Sequence, residues 1–427
     1  MSASLVPDSA RRLGPKTVER TDLGHPELPP GAQVDVVVAC HTSTRPIGRA
    51  VASLLVGNPE AAVTVVCHNL PAEEIAAAIG PQHRELVRYL EHTDPRPSAS
   101  GPFNAGLRAA RAPWVSIMGS DDRLAPGAVA SWLALAEATG ADFIIPRLAL
   151  GSPTAIVPTP APRLSRLLGA YLHSCRSIRG AAPNGRLSRF ARTDLTADRL
   201  AYRSAPLGLM STDMLKRNGA HLVEGVAVGG DVAMVTGLFA TVITAYDAGG
   251  PVYLIGEDAS DRVTYVMRPM AEQLGFLPGL LAATWFTSLT GAQRRAVVVK
   301  MVRIHVFGAV YYRDREDIWT PAERAALAAM CRRLHHAAPG FFRVLSRADR
   351  DLLDACLDPS VSAATLIHRA QVRRHHGRPA TVLTRDPAWL LDREAPLRFM
   401  AASLLTKLLP AAPLPASANC HPALKQD

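Results

Sequence analysis

The chain has 427 residues, more than one ordinary domain needs, so two folded units are the first expectation. Apolar residues make up 48% of it, which is enough for a packed core and too many for a largely disordered protein. The formal net charge of +10 suits anionic partners. Aromatic residues are only 5% and are not interleaved with a basic block, so nucleic acid is not an expected partner.

The six cysteines are scattered, and none forms a C-x-x-C pair, so neither a zinc knuckle nor a disulfide framework is indicated. Residues 1–32 hold no apolar segment of the kind found in secretory signals. No uninterrupted apolar run reaches the roughly 18 residues of a membrane-spanning helix. Together these features predict a cytoplasmic protein.

After a flexible leader, predicted for residues 1–32, strands and helices alternate. Residues 34–40 form a β-branched run typical of a buried parallel strand, and residues 47–55 carry apolar residues on one helix face. The alternation continues with strands at 62–67, 86–90, 114–118 and 141–145, and helices at 73–79, 105–110 and 133–139. This order predicts an α/β fold with a mainly parallel sheet flanked by helices.

Polar residues follow several of the predicted strands. His41 and Thr42 come after the first strand, Asn69 after the second, and Asp121 and Asp122 after the fourth. Because ligands of parallel sheets gather beyond the carboxyl ends of the strands, we expect these side chains to meet at one edge.

The adjacent carboxylates Asp121 and Asp122 are candidate ligands for Mg²⁺ or Mn²⁺, which prefer carboxylate oxygens and leave positions open for phosphates. A metal there would neutralise charge on a leaving diphosphate. The alternative is an ordinary turn at the end of a strand, since Asp, Ser and Gly are common turn formers.

A second acid, Asp231, follows Gly229 and Gly230 and precedes an apolar helical run. A carboxylate suits the removal of a proton from an acceptor hydroxyl if that oxygen lies within hydrogen-bond reach. The alternative on pattern alone is a helix N-cap, a position at which Asp is common.

Several of these segments resemble family 2 glycosyltransferases. Met118-Gly119-Ser120-Asp121-Asp122 is similar to the family's D-x-D-type motif, with Gly119 in place of the first acid. Residues 36–55 resemble its opening strand, loop and helix, and Asn104-Ala105-Gly106 resembles its Asn-x-Gly helix. The resemblance covers residues 33–266 and implies a GT-A fold, which is Rossmann-like.

The resemblance also implies roles for individual residues. Asp122 would coordinate the metal, and Asp121 would contact the nucleotide ribose or the metal. Asp231 would be the catalytic base, with Gly230 where the family more often has Glu. The implied nucleotide-sugar-binding residues are His41, Thr42, Asn69, Asn104 and Asp121.

The implied activity is metal-dependent, inverting transfer of a sugar from a nucleotide-diphosphate donor, with UDP as the expected nucleotide, to a hydroxyl acceptor on a glycan or lipid. Such an enzyme would serve the synthesis of cell-surface polysaccharide, glycolipid or glycoconjugate. One alternative is a nucleotidyltransferase, although no glycine precedes Gly48 in the loop after the first strand. The other is a non-catalytic nucleotide-sugar-binding or scaffold protein, which the replacement of acids by Gly119 and Gly230 keeps open.

From residue 267 the pattern turns helical, with helical spacing at 297–306, 322–334 and 351–357, which predicts a helical unit over 267–412 and a flexible tail over 413–427. An apolar stripe from Leu397 to Leu408 indicates docking onto this unit or onto a second copy of the chain, or peripheral contact with the inner face of the cell membrane. Residues 163–203 are rich in arginine and predict either a mobile loop that binds an anionic ligand or a solvated connector.

Overall fold

The computed structural model describes residues 20–22, 28–96, 98–158, 192–258 and 267–408. Within these ranges it contains two sheets and a mostly helical C-terminal part. The predicted flexible tail over residues 413–427 lies outside the described residues, as does most of the predicted leader.

The strands are short and close together in sequence up to residue 150. In chain order they are β1 (Arg20–Asp22), β2 (Val34–Cys40), β3 (Ala61–His68), β4 (Val87–His92), β5 (Trp114–Gly119), β6 (Arg123–Leu124), β7 (Phe143–Pro146), β8 (Leu148–Leu150), β9 (Leu209–Ser211), β10 (Thr244–Asp247) and β11 (Tyr253–Ile255). Eight of them form the main sheet in the order β1-β4-β3-β2-β5-β9-β7-β10, and β6, β11 and β8 form a small second sheet.

The centre of the main sheet is parallel: β4, β3, β2 and β5 run in one direction, with Cys40 of β2 beside Cys67 of β3. β9 is antiparallel to its neighbours β5 and β7. Strands buried on both faces read as continuous apolar runs, which is why β2 and β3 were predictable from sequence. At the outer edge β1 pairs antiparallel with β4, so the predicted leader contains one strand.

Helices cover the sheet and make up nearly all of the C-terminal part. In the sheet-bearing part the α-helices are Ile47–Leu55, Ala72–Ile79, Ser100–Ala109, Ala128–Thr139, Thr212–Arg217 and Val232–Thr241. They are followed by Met270–Gln273, Phe276–Ala282, Thr284–Thr287, Gly291–Lys300, Phe307–Tyr311, Pro321–Ala337, Arg347–Leu357, Ala363–Val372, Pro379–Val382 and Pro396–Leu408. A π-helix, Met301–Val306, continues Gly291–Lys300, and 3₁₀ turns lie at Arg84–Leu86, Leu200–Tyr202, Glu316–Ile318, Phe341–Val344 and Pro387–Trp389.

The helix predicted from residue 105 begins at Ser100 instead. Gly101 and Pro102 stand in its first turn, where proline is tolerated because the amide it lacks has no partner inside the helix. Glycine and proline are common in loops, but at this position they are compatible with a helix start.

Two apolar cores lie on opposite faces of the main sheet. One contains Ile47 and Trp132 and is confined to the sheet-bearing part. The other joins residues of the strands, such as Val37 and Ile117, with Phe307 and other residues of the helical part. The helical part therefore shares its core with one face of the sheet.

The C-terminal helix Pro396–Leu408 buries only part of its predicted apolar stripe. Leu397 and Leu404 are 39% and 60% exposed, whereas Ala402 is fully buried. No helix within the described ranges is both long and apolar enough to cross a membrane.

Of the arginine-rich segment 163–203, residues 159–191 lie outside the described residues. Two of its last arginines are buried, contrary to both interpretations of the segment. Arg199 forms an ion pair with Glu394 at 3.0 Å, and Arg203 donates a hydrogen bond to the carbonyl of Pro146. At these two positions the arginines have a structural role in the protein interior.

Candidate functional site

The carboxyl ends of the parallel strands β2, β3, β4 and β5 meet at one edge of the main sheet, here called the carboxyl edge. His41 follows β2, Asn69 follows β3, Asp94 lies just beyond β4, and Asp121 follows β5. The predicted strand-end residues therefore lie at the ends of neighbouring strands, as expected for a ligand site of an α/β sheet.

Asp122 is turned into the protein. Its Oδ2 accepts hydrogen bonds from the Tyr253 hydroxyl at 2.5 Å and from the Gly119 amide at 3.2 Å, and its Oδ1 accepts one from the Gly256 amide at 2.9 Å. Burial raises the pKa of Asp122, while the hydrogen bonds from Tyr253 and Gly256 oppose the shift. Both carboxylate oxygens thus serve to join the end of β5 to the end of β11.

Gly119, which replaces the first acid of the family motif, explains this arrangement. A Cβ atom at position 119 would lie 2.7 Å from Oδ2 of Asp122 and 3.2 Å from Oδ1 of Asp121. The space that a side chain would occupy is filled by the carboxylate of Asp122. The absence of a side chain at position 119 and the inward position of Asp122 are therefore one feature.

Asp121 faces two arginines from the start of the chain. Arg45 Nη1 donates to Asp121 Oδ1 at 3.1 Å, with both side chains largely buried. Arg49 donates to the Asp121 carbonyl at 3.0 Å and also binds both carboxylate oxygens of Asp258. Of the two neighbouring acids, Asp121 is thus the one whose carboxylate contacts a cationic side chain at the carboxyl edge.

His41 and Thr42 lie in the turn between β2 and the helix Ile47–Leu55. The Thr42 hydroxyl is 2.9 Å from that of Thr44 and accepts a hydrogen bond from the Thr44 amide, so it shapes the turn. His41 is exposed. The structure places both at the carboxyl edge, and their predicted contact with a nucleotide stays a prediction.

Asn69 has a left-handed backbone, with φ of 60°, a conformation that Asn tolerates better than most residues. Its side chain accepts a hydrogen bond from the Asp94 amide and donates one to the Asp94 carbonyl, at 2.9 and 2.8 Å. Asn69 therefore ties the end of β3 to the chain beyond β4. Its side chain remains exposed, so the predicted contact with a base edge stays a prediction.

Asn104 is 1% exposed and uses its amide within the protein. It accepts from the Leu222 amide, and donates to the Leu222 carbonyl and to Glu224 Oε1 at 2.8 Å. Arg96 joins the same group by pairing with Glu224 at 3.0 Å. Asn104 thus fastens the segment 222–224 onto the helix Ser100–Ala109. The nucleotide contact that the resemblance implied for it stays a prediction.

The same segment leads to Asp231. The Val223 amide donates to the Gly230 carbonyl at 2.7 Å. A Cβ atom at position 230 would lie 2.4 Å from the Ser100 hydroxyl oxygen and 2.6 Å from the Val223 carbonyl. A glutamate at this position, as the family more often has, would not fit without a shift of the backbone. Asp231 is consequently held beside the start of the helix Ser100–Ala109.

Asp231 stands at the N-cap position, just before the helix Val232–Thr241, but its side chain makes no capping hydrogen bond to it. The residue retains some solvent access while protein surrounds its carboxylate closely. Burial raises the pKa of Asp231, and the positive charge of Lys300 and the amides of residues 231 and 232 oppose that shift. The N-cap alternative therefore lacks the hydrogen bond that defines it.

The sequence pattern missed several residues of this region. Asp94 is 1% exposed, and although burial alone would raise its pKa, hydrogen bonds from Arg96 lower it. Asp94 follows a strand, so the rule that selected Asn69 would have found it. Tyr253 and Lys300 carried no such signal, because their partners are distant in sequence.

Within the described residues, no group of three or more His, Cys, Asp or Glu side chains is arranged to hold a metal ion. Carboxylate oxygen is the donor that Mg²⁺ and Mn²⁺ prefer, and Mg²⁺ is commonly held by one or two carboxylates together with substrate phosphates. Asp121 fits that mode as a single carboxylate at the carboxyl edge.

Comparison with known proteins extends these observations. Residues 35–213 match the family model described as glycosyl transferase family 2. The succinoglycan biosynthesis protein ExoO of Rhizobium meliloti (strain 1021) is 30% identical over 115 residues, which are 27% of this chain and 33% of ExoO. The match thus spans about a third of the length of that curated relative.

Solved structures are similar over a larger share of the chain. A crystal structure of S. aureus TarS 1–349 in complex with UDP-GlcNAc has a TM-score of 0.59 at 13% identity and covers 81% of this chain and 93% of that one. The same fragment in complex with UDP has a TM-score of 0.52 at 14% identity, with 81% and 93% covered. At such identities the likeness shows the fold, and it confirms the predicted GT-A-type sheet followed by a helical part.

Proposed function

We propose that this chain, whose residues 35–213 match glycosyl transferase family 2, transfers a sugar from a uridine diphosphate donor to a hydroxyl acceptor with inversion at the anomeric carbon. The observation that carries the proposal lies at the carboxyl edge. There Asp121 meets the cationic Arg45, and the loop of the buried Asp231 carboxylate packs beside the start of the helix Ser100–Ala109.

The choice of donor is supported by the structural relatives. One TarS structure is a complex with UDP-GlcNAc, and another is a complex with UDP. In this chain the turn carrying His41 and Thr42 and the exposed side chain of Asn69 border the end of the sheet where such a nucleotide would bind. We therefore assign the nucleotide to this edge.

A divalent cation, Mg²⁺ or Mn²⁺, would be held by Asp121 together with diphosphate oxygens, and when bound it would neutralise charge on the departing diphosphate. Asp122 keeps the strand ends together through Tyr253 and Gly256. Arg45 would exchange its contact with Asp121 for one with the diphosphate, because a guanidinium binds phosphate oxygens well.

Asp231 would act as the base. As the acceptor oxygen bonds to the anomeric carbon, its proton passes to the Asp231 carboxylate, and the bond from that carbon to the diphosphate breaks with its electron pair leaving on the nucleotide. A base works best when its pKa is near the working pH, and burial moves the pKa of Asp231 in that direction. The acceptor would be a glycan or lipid-linked hydroxyl, which the name of the relative ExoO, a succinoglycan biosynthesis protein, supports.

Nucleotide binding without turnover is the second candidate, favoured by the glycines at positions 119 and 230. In the structure both positions are filled by neighbouring groups, the carboxylate of Asp122 in one case and Ser100 with the Val223 carbonyl in the other. The two glycines are thus required by the packing around them, and they do not argue against a catalytic site. Turnover of the donor separates the two candidates.

The test combines calorimetry with donor turnover. Titration with UDP, GDP, CDP and ADP, with and without Mn²⁺, should show metal-enhanced binding of UDP. Asp121→Asn should abolish the Mn²⁺ enhancement, and Asp122→Asn should chiefly lower the melting temperature. Loss of the enhancement in Asp122→Asn alone would return the metal to Asp122, as the family resemblance implied.

Turnover is then followed as UDP released from UDP-GlcNAc, with water as the acceptor. Asp231→Asn should lower the rate by at least about 100-fold while UDP affinity is retained, because a general base contributes roughly that factor or more. UDP binding with no release by the wild-type chain, under any metal condition and with sugar-nucleotides of several kinds, would establish the binding protein instead.

A further inference from the structure

Lys300 is unusual in this chain. Of the 47 basic residues only five are lysines, at positions 16, 216, 300, 407 and 425. Lys300 ends the helix Gly291–Lys300, follows the apolar run Ala296–Val299, and is 1% exposed. Taking an ammonium group out of water is costly, so a lysine at such a position calls for a compensating interaction.

Its immediate partner is His305. Lys300 Nζ lies 3.0 Å from His305 Nε2, and because an ammonium can only donate, the imidazole accepts through an unprotonated Nε2. Burial, and next the charge of Lys300, lower the pKa of His305 well below its usual range, so the ring is neutral. His305 lies in the π-helix Met301–Val306, a distortion that is frequent at functional sites.

This pair is packed against the loop of the candidate base. The ring of Phe276 lies 4.8 Å from that of His305, edge to face. Gly229, two residues before Asp231, approaches the same Phe276 ring so closely that a Cβ atom would lie 2.7 Å from it. Contacts therefore run from Lys300 through His305 and Phe276 to the Asp231 loop.

The electrostatic partner of Lys300 is Asp231. Burial lowers the pKa of Lys300 to about 8, and the negative charge of Asp231 opposes that shift. In turn the charge of Lys300 opposes the rise that burial causes in the pKa of Asp231. His305, the other titratable group acting on this lysine, is neutral, so the interaction that remains is between one cation, Lys300, and one anion, Asp231.

We propose that Lys300 is a positioning residue for the candidate base: its buried ammonium, fixed by His305, stabilises the charged carboxylate of Asp231. The inference rests on the proposed function, in which Asp231 is that base. It also gives the helical part a role, since this part supplies the cation that completes the site. Lysine carries this charge on a compact ammonium group, whereas arginine would carry it on a larger planar guanidinium.

The first measurement observes the lysine directly. With lysine labelled with ¹³C at Cε, the signal of Lys300 is identified by its absence in Lys300→Arg, and its titration is followed from pH 6 to 11. Asp231→Asn should lower the midpoint by about one pH unit, because an opposite charge has been removed. The exposed Lys216 should titrate unchanged and serves as the internal control. An unchanged midpoint for Lys300 would overturn the proposal.

The second measurement is the pH profile of UDP-GlcNAc hydrolysis. In Lys300→Met the acidic limb of kcat/KM should move upward by about one pH unit, since Asp231 loses the charge that favours its ionised form. In Lys300→Arg the acidic limb should stay in place, because arginine keeps the positive charge. Lys216→Met should match the wild type, and all variants should bind UDP alike.

The two arms separate the underlying hypotheses. If Asp231→Asn hydrolyses the donor as fast as the wild type, the assignment of the base fails and the inference fails with it. If hydrolysis is lost in Asp231→Asn but the acidic limb of Lys300→Met does not move, the base stands and the role of Lys300 is refuted.

Discussion

Asp121 and Asp122 are neighbours in sequence, yet their carboxylates lie in different environments. A turn causes the separation: the Asp122 amide donates to the Gly119 carbonyl at 3.1 Å, so the chain reverses within these four residues. Asp122 is brought back onto Gly119 and under Tyr253, while Asp121 is left facing Arg45. The identity of residue 119 decides whether this reversal is sterically allowed.

This argument gives a prediction for Gly119→Ala. The added methyl group would lie within 3 Å of Asp122 and force its carboxylate away from Tyr253 and Gly256. We expect the free energy of unfolding to fall by about 1–3 kcal/mol, as for other overpacked sites. Urea unfolding followed by circular dichroism measures it.

Gly308→Ala is the matched control, because position 308 lies in a helix and a Cβ atom there would meet nothing within 4 Å. It should be neutral or stabilising by up to about 1 kcal/mol. If Gly119→Ala were equally harmless, the close packing of Asp122 against position 119 would be refuted.

At the scale of elements, the segment 222–231 and the helix Ser100–Ala109 act as one unit. Asn104 makes three hydrogen bonds to this segment, and Ser100 lies against Gly230. The helix begins beyond the end of β4, so it carries the loop of Asp231 toward the carboxyl edge. The position of the candidate base therefore depends on a buried amide outside its own loop.

Asn104→Ala tests this dependence. It would leave the Leu222 amide and carbonyl without their partner, at a cost of about 1–3 kcal/mol in the free energy of unfolding. We expect turnover of UDP-GlcNAc to fall as the Asp231 loop loosens, with UDP affinity within about twofold of the wild type. Calorimetry and released UDP report the two effects separately.

Asn218→Ala is a suitable comparison, since the Asn218 side chain bonds the Met214 carbonyl of its own helix, and both measurements should be close to the wild type. Protease resistance would show whether the Asp231 loop is still ordered in Asn104→Ala. If it is, a large loss of UDP affinity would favour the direct nucleotide contact that the resemblance implied.

The elements that could be predicted are those with a strong pattern. The strand 34–40 and the helix 47–55 match β2 and the helix Ile47–Leu55 because their apolar residues follow strand and helix periods over several turns or pleats. Strands of three residues, such as β1 and β9, contain too few positions for a period to show. The π-helix Met301–Val306 has the pattern of ordinary helix, since both bury similar apolar residues.

The candidate site was also predictable only in part. Asp121, Asp122 and Asp231 were recognisable because each follows a strand or opens a helix in a local pattern. The direction of the Asp122 carboxylate depends on Tyr253, and the charge that acts on Asp231 comes from Lys300, both far along the chain. Local sequence carries no record of those contacts, so roles within the site could not be apportioned before the structure.

For the molecule as a whole, a buried charge cluster ties the two parts together. It consists of Arg303, Asp349, Arg373, Arg199 and Glu394. Asp349 pairs with Arg303 at 3.0 Å and with Arg373 at 2.6 Å, and Arg303 also donates to the Glu394 carbonyl at 2.8 Å. Glu394 in turn pairs with Arg199 in the sheet-bearing part. With the shared apolar core, this cluster makes separate unfolding of the two parts unfavourable.

Asp349→Ala would leave the buried guanidinium of Arg303 and the partly buried one of Arg373 without their carboxylate; breaking a buried pair typically costs about 3–5 kcal/mol. We expect a single transition at a lower urea concentration, with loss of UDP binding and loss of helical circular dichroism still coincident. Two separate transitions in the wild type would contradict the coupling. Asp317→Ala is the control, because its pair with Arg315 is fully exposed and should contribute nothing measurable.

The pH dependence of stability follows from the same cluster. Burial alone would raise the pKa of Asp349, but Arg303 and Arg373 outweigh it and lower the pKa below its usual range. The carboxylate therefore contributes stability above the unfolded-state pKa of about 4, and this contribution is lost as the pH falls through the lower folded-state value. Asp349→Ala should unfold with a shallower dependence on pH below about 4 than the wild type, because one carboxylate no longer takes up a proton on unfolding. Since the cluster joins both parts, acid should release the helical part and the nucleotide site together, and acid titration of UDP binding beside circular dichroism would detect any separation.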